Sequence, residues 1–134
     1  MSSTAESHTS PAFGAELSVV LVAGTGPANI VRTMRHLRAQ TARRRMEVLI
    51  VAETAAGIDL ATLAGDRFAD CRVVEVGPIR ERGAAAAAGI LAATCPIVGL
   101  IEDHSFPEPE WAEAMLRAHD PASLRVQSHR GPRT

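Results

Sequence analysis

The sequence predicts an α/β fold, with a mostly parallel sheet of about four strands flanked by helices. Short apolar runs rich in β-branched residues alternate with longer segments whose apolar residues recur at helical spacing. Each apolar run also stops at a turn-forming or polar group: Gly24, then Glu53-Thr54, then Gly77-Pro78, then Glu102-Asp103-His104. The resulting order, strand-helix four times over, implies parallel strands joined by right-handed crossovers.

Leu17-Ser18-Val19-Val20-Leu21-Val22 is nearly continuous in its apolarity, as expected of a strand covered on both faces. After the Gly24-Thr25-Gly26-Pro27 turn, Ile30, Met34 and Leu37 mark one face of a helix of about three turns, while Arg32, Arg35 and Arg38 mark a solvated one. Val48-Leu49-Ile50-Val51 reads as the second strand, and Ile58, Leu60 and Leu63 as a short helix. Arg72-Val73-Val74-Glu75-Val76 reads as the third strand, with Glu75 implying an edge or partly exposed position. Residues 81–93 are dominated by alanine, a strong helix former whose small side chain allows close packing on a sheet. Residues 95–101 supply the fourth strand. Pro107-Glu108-Pro109 introduces a last helix, with Pro109 in its first turn and Trp111, Met115 and Leu116 on its packed side. One domain is expected over residues 16–120, between an irregular N-terminal tail (1–15) and an irregular C-terminal tail (121–134).

With 134 residues, 14 basic and 15 acidic side chains and a net charge of -1, the chain has no general attraction for nucleic acid. Arg43-Arg44-Arg45 is read as a solvated helix end or loop. The two cysteines, Cys71 and Cys95, have no metal-binding spacing and fit buried free thiols in a reducing compartment. No apolar stretch approaches the roughly 20 residues that span a bilayer, and the first residues lack the apolar core of a signal peptide. A cytoplasmic location is expected, with peripheral contact at the inner membrane face as a variant of it.

The chemistry is concentrated in Glu102-Asp103-His104, which follows the aliphatic run of residues 97–101. In open α/β sheets ligands gather beyond the carboxyl ends of the strands. A carboxylate beside an imidazole suits a borderline divalent ion, Mn²⁺ better than Mg²⁺, with a nucleotide diphosphate completing the shell. The plain alternative is a solvated turn. Glu53, at the end of the second strand, either accepts hydrogen bonds from a ribose or base or merely starts a turn. Gly24-Thr25-Gly26 invites comparison with a dinucleotide fingerprint, but Asn29 stands where a third small residue belongs and Pro27 where a free amide belongs.

In order and spacing, these elements resemble the N-terminal half of a family 2 glycosyltransferase, the inverting group with the Rossmann-like GT-A fold. The residues that carry the resemblance lie between about Glu16 and His119. They are the first strand, Leu37-Arg38-Ala39-Gln40-Thr41, Glu47-Val48-Leu49-Ile50-Val51, the Arg82-Gly83 alanine segment, and Glu102-Asp103-His104 leading into Pro107-Glu108-Pro109-Glu110-Trp111. The resemblance implies a truncated nucleotide-sugar-binding half-domain. Glu102-Asp103-His104 would stand in the place of the family's DxD-type motif, Glu102 approaching the ribose or sugar and Asp103 or His104 holding the metal. Glu53 would contact the nucleobase, Ala23 and Thr25 would lie in the loop around it, and Arg82-Gly83 would precede the helix facing the donor.

The chain departs from the family at Ala23-Gly24-Thr25-Gly26, which replaces a Pro-Thr-Tyr-Asn-like loop, at Ala52, which replaces an aspartate, and after Gly83, where alanines replace an arginine. The implied donor is a UDP-, GDP- or dTDP-sugar and the acceptor a glycan, lipid or small molecule. The catalytic base would belong to an acceptor half beyond this chain, whose absence favours self-association or a partner chain. The competing readings are a noncatalytic nucleotide-binding or regulatory module and a Rossmann-type NAD(P)-binding domain.

Overall fold

A computed structural model describes residues 12–24 and 27–120; the expectations for Thr25, for residues 1–11 and for residues 121–134 lie outside the described residues. Strands β1 (Leu17–Val22), β2 (Met46–Ala52), β3 (Asp70–Glu75) and β4 (Ile97–Glu102) form one all-parallel sheet in the order β3-β2-β1-β4. The helices between and after them are α1 (Val31–Arg38), α2 (Leu60–Leu63), α3 (Arg82–Ala92) and α4 (Trp111–Ala118). Single 3₁₀ turns occupy Pro27–Ile30 and Arg43–Arg45. The protein is therefore α/β and Rossmann-like, as its sequence predicts.

Every residue of β1 and β2 is buried, because helices cover both faces of the sheet. Leu17, Val19, Leu21, Met46, Val48 and Ile50 face α1, α2 and α4, whose Met34, Leu37, Leu63, Ala112 and Leu116 complete that core. Val20, Val22, Leu49 and Val51 face the opposite way, onto α3. An ideal Cβ added at Gly89 would come within 2.4 Å of Val20 Cγ1 and 2.7 Å of Val51 Cγ2, so α3 lies directly on the sheet at that glycine.

β2 and β3 extend from β1 in one direction and β4 lies on its other side. The strand order thus reverses at β1, and the crevice between the carboxyl ends of β1 and β4 is the topological switch point, where open α/β sheets bind ligands.

Several local expectations need correction. The last helix begins at Trp111, two residues beyond Pro109, and its Ala112 amide is capped by the buried Gln40 side chain at 2.9 Å. The arginine stripe of α1 is only partly solvated: Arg32 lies over the Phe106 ring, 4.2 Å from its centroid, and Arg38 donates to the Leu63 carbonyl. The Arg43-Arg44-Arg45 turn keeps Arg44 and Arg45 exposed, as expected of a solvated helix end, while its guanidinium groups reach Gln40 O, Asp66 O and the Glu16 carboxylate.

Glu47, the second residue of β2, is a buried carboxylate. It accepts from Ser18 Oγ, from the Thr94 amide at 2.7 Å and from Arg72 Nη1 at 3.1 Å. Arg72 also bonds Asp70 and donates to the Ala92 carbonyl at the end of α3, and Ser18 Oγ accepts from the Cys95 amide. The network joins β1, β2, β3 and the α3–β4 connection at the end of the sheet opposite the switch point.

Cys95 is buried and Cys71 half-buried, and both are free. Desolvation pushes the Cys71 thiol up to about 12, with Asp70 adding to the rise, and desolvation also raises Cys95. Neither supplies appreciable thiolate near neutrality. Both are expected to stay unmodified by a thiol-specific disulfide reagent at about pH 8 and to react promptly in denaturant; fast labelling of the native protein would contradict their packing.

Candidate functional site

The last residue of β4, Glu102, stands in register with Val22 at the end of β1, so the residues that follow the two strands meet over the switch point. On the β1 side the chain continues as Ala23, whose amide donates to Val51 O and whose methyl is buried in the core, and then Gly24. On the β4 side it turns sharply, Ser105 N donating to Glu102 O at 3.0 Å. The buried hydroxyl of Thr33, on α1, donates to Asp103 O at 2.8 Å and fixes that turn.

Asp103 is consequently aimed inward, its side chain 13 % exposed against 49 % for Glu102 and 74 % for His104. Its Oδ2 lies only 2.1 Å from where a Cβ on Gly24 would be, so the carboxylate fills the space that glycine leaves open. In a dinucleotide fold that space admits the pyrophosphate. A carboxylate placed there repels one, a third departure from the dinucleotide pattern besides Asn29 and Pro27.

Oδ1 is the outward oxygen. It lies 3.3 Å from His104 Nδ1 and 3.5 Å from Arg82 Nη2. His104 Nε2 is 3.3 Å from Glu102 Oε1, and Arg82 Nε 3.8 Å from Glu102 Oε2. Arg82 opens α3, whose first turn has no capping side chain on Glu81; the helix dipole therefore adds positive potential beside Gly83. An added Cβ at Gly83 would meet nothing within 4 Å. Arg82, Gly83 and Ala84 are exposed.

The residues expected to form a site are thus brought together in part. Arg82, Glu102, Asp103 and His104 converge, with Gly83 beside them, and Ala23 borders them only through Gly24. Glu53 is held apart: its Oε2 accepts from the Ile79 amide at 2.8 Å and its carbonyl from Gly77 N at 3.1 Å, which folds the β3–α3 loop. Gly77 takes a positive φ of 72° in that turn. This loop walls a cavity of about 150 Å³ lined by Val76, Pro78, Ile79, Arg80 and Ala84. A larger cavity, about 370 Å³, lies among Leu60, Ala64, Phe68 and Cys71 and contains none of the expected site residues. Thr33 and Gly24 belong to the site as well. The sequence marks Gly24 through the Gly24-Thr25-Gly26 turn, whereas nothing in it marks Thr33.

Among the described residues no group of three or more His, Cys, Asp or Glu is arranged to hold a metal ion. Asp103 Oδ1 and His104 Nδ1 are nevertheless spaced as two neighbouring ligands on one ion, which at bonds of about 2.1 Å lie about 3.0–3.4 Å apart. The donor set fits a cation only if a bound ligand supplies the other oxygens. No model of a protein family matches the chain, and no curated protein matches it either.

Proposed function

We propose that this chain is a glycosyltransferase-like domain of the inverting, family 2 type, which binds a nucleotide-diphosphate sugar through a divalent cation. The observation that carries the reading is the convergence of Asp103, His104, Glu102 and Arg82 on the β1/β4 switch point, beside the uncapped start of α3. An anion there meets a guanidinium and the positive end of a helix, and a cation meets one carboxylate and one imidazole.

In this reading Asp103 and His104 would hold the ion, Mn²⁺ in preference to Mg²⁺. Bound, the ion would act as a Lewis acid on the departing nucleotide diphosphate. Arg82 and the first amides of α3 would balance the charge of the diphosphate. Glu102, half exposed at the end of β4, would reach the ribose or sugar. Glu53 would act on the base side through the loop it folds against Ile79.

No catalytic base is assigned to the chain. Glu108 and Glu110 are exposed, and Glu113 accepts from Thr41 Oγ1 at 2.7 Å. The acceptor, a glycan, lipid or small molecule, would be presented by a partner chain or a second copy. β4 supports this, being among the described residues an edge strand with a single charged residue, Glu102, and an exposed Leu100, whereas the β3 edge is guarded by Asp70, Arg72 and Glu75. No helix among the described residues is long and apolar enough to cross a membrane, and the proposal includes a cytoplasmic location.

Calorimetric titration of UDP and GDP, with and without Mn²⁺, tests the reading. Binding is expected to require Mn²⁺ and to weaken about tenfold or more in His104→Ala. Metal-independent binding would instead favour a noncatalytic nucleotide-binding module, and no binding of either nucleotide would reject the donor site.

A further inference from the structure

Six arginines and one histidine, and no acid, fall between Val31 and Arg45 of a chain whose net charge is -1. The fold gathers part of this charge at the amino ends of β1 and β2, opposite the switch point. Arg38 and Arg44 reach across to one turn after α2, donating to Leu63 O and, at 2.9 Å, to Asp66 O, and the Arg67 amide closes that turn on Ala64 O. Desolvation holds Arg38 below its ordinary value, and the like charges of Arg67 and Arg35 lower it further, so three guanidinium groups share this corner. Among the described residues Arg35, Arg38, Arg44 and Arg67 make no ion pair with a carboxylate, whereas Arg45 is paired with Glu16. The bordering acids are Asp66 and, beyond Thr41, Glu108, Glu110 and Glu113, of which Glu113 is engaged by Thr41 Oγ1 and Arg117. The positive charge is therefore concentrated on the α2 side of α1. Phe13 stands wholly exposed beside it: a Cβ on Gly14 would lie 3.6 Å from Arg44 O, and the Glu16 amide donates to Arg45 O at 2.8 Å.

We propose that this corner is a docking surface for an anionic phospholipid membrane, with Arg35, Arg38, Arg44 and Arg67 against the headgroup phosphates and Phe13 entering the headgroup region. The proposal goes beyond the glycosyltransferase reading and does not rest on it. Charge complementarity carries it: guanidinium groups that repel one another across one corner are relieved by a surface of opposite sign, and their weak hydration and forked geometry suit phosphate oxygens. An exposed aromatic ring beside them gains by leaving water for the interface. A nucleic-acid strand fits less well. The cavity of about 370 Å³ next to this corner is lined by Asp66 and Asp70 and by none of these arginines, so it is not a basic groove along which a strand could run. Docked in this way, the protein holds the β1/β4 switch point away from the bilayer and open to the aqueous side.

Flotation of the full chain with phosphatidylcholine vesicles, with and without about 40 mol % phosphatidylserine, tests the surface. Binding is expected to the anionic vesicles alone and should fall as NaCl is raised from about 0.05 M to about 0.5 M, because screening shortens the reach of each charge. Arg35 and Arg67 are exposed, so Arg35→Ala combined with Arg67→Ala should keep the melting temperature of the unaltered protein. The same double variant should bind anionic vesicles about tenfold or more weakly, each basic residue near such a surface being worth about fivefold. Lysine at both positions should retain most of the binding, and Phe13→Ser should weaken it without changing its salt dependence. These outcomes are independent of the UDP and GDP titration. No binding to the anionic vesicles, equal binding to the neutral ones, or full binding by the double alanine variant would overturn the proposal. So would tighter binding of a single-stranded RNA than of the vesicles at the same salt, lost in the double alanine variant, which would make the corner a nucleic-acid surface.

Discussion

Glu47→Ala is expected to cost about 3 kcal/mol of stability, which for a domain of this size lowers the melting temperature by about 10 °C. The side chain is 1 % exposed and serves three donors, Ser18 Oγ, the Thr94 amide and Arg72. Truncation leaves the first two without this acceptor in a place water reaches poorly, and unmet buried donors cost about 1–3 kcal/mol each. Arg72 is better protected, being 36 % exposed and still bonded to Asp70 and Ala92 O, which keeps the total near the lower end of the range for a broken buried pair. A melting temperature within a degree or two of the unaltered protein would mean that the network does not hold the sheet together.

The same carboxylate sets an acid limit. Burial pushes Glu47 up, but the hydrogen bonds from Ser18, Thr94 and Arg72 outweigh it, and the folded carboxyl sits below its ordinary value of 4.5. A depressed carboxyl contributes stability that is complete above the unfolded value and is lost as pH falls through the folded one. Denaturant midpoints should therefore fall below about pH 4.5 in the unaltered protein, and Glu47→Gln, less stable at neutral pH, should lose that part of the acid slope.

Glu47 also shows where the sequence stops being readable. A glutamate ahead of Val48-Leu49-Ile50-Val51 reads as the solvated entry to a strand, because local periodicity carries no information about Ser18, Arg72 and Thr94, which approach from three other segments. β1 and β2 were legible because a strand buried on both faces must be apolar throughout, and α3 because its alanines favour a helix and allow it close to the sheet. The acidic turn was legible as chemistry for a related reason: polar groups directly after a buried strand must sit at the rim. Its orientation was not. Which oxygen of Asp103 faces outward depends on Gly24, 79 positions earlier in the chain, and on Thr33, 70 positions earlier. Glu53 fails in the opposite sense. It lies at the strand end where a base contact was expected, but Ile79 N already claims one of its oxygens.

Gly24→Ala should separate the site from the fold. The added methyl would fall 2.1 Å from Asp103 Oδ2 and 3.2 Å from its Cγ, while Asn29 Nδ2 is 3.6 Å away. Gly24 has no positive φ, so alanine meets no backbone penalty there. Among the described residues, the group that must yield is the end of the Asp103 side chain, which can turn outward into solvent. The melting temperature should therefore move by no more than a few degrees, about 1 kcal/mol or less. Binding has no such escape, because turning Asp103 breaks the 3.3 Å pairing of Oδ1 with His104 Nδ1 and removes the inward support that orients the ligand. Displacing a supporting contact of this kind commonly costs about 10- to 100-fold in metal affinity, so Mn²⁺-dependent nucleotide binding should fall about as far as in Asp103→Ala. Full binding in Gly24→Ala would show that Asp103 does not act from the position it holds against Gly24, and the cation would have to be sought elsewhere on the rim.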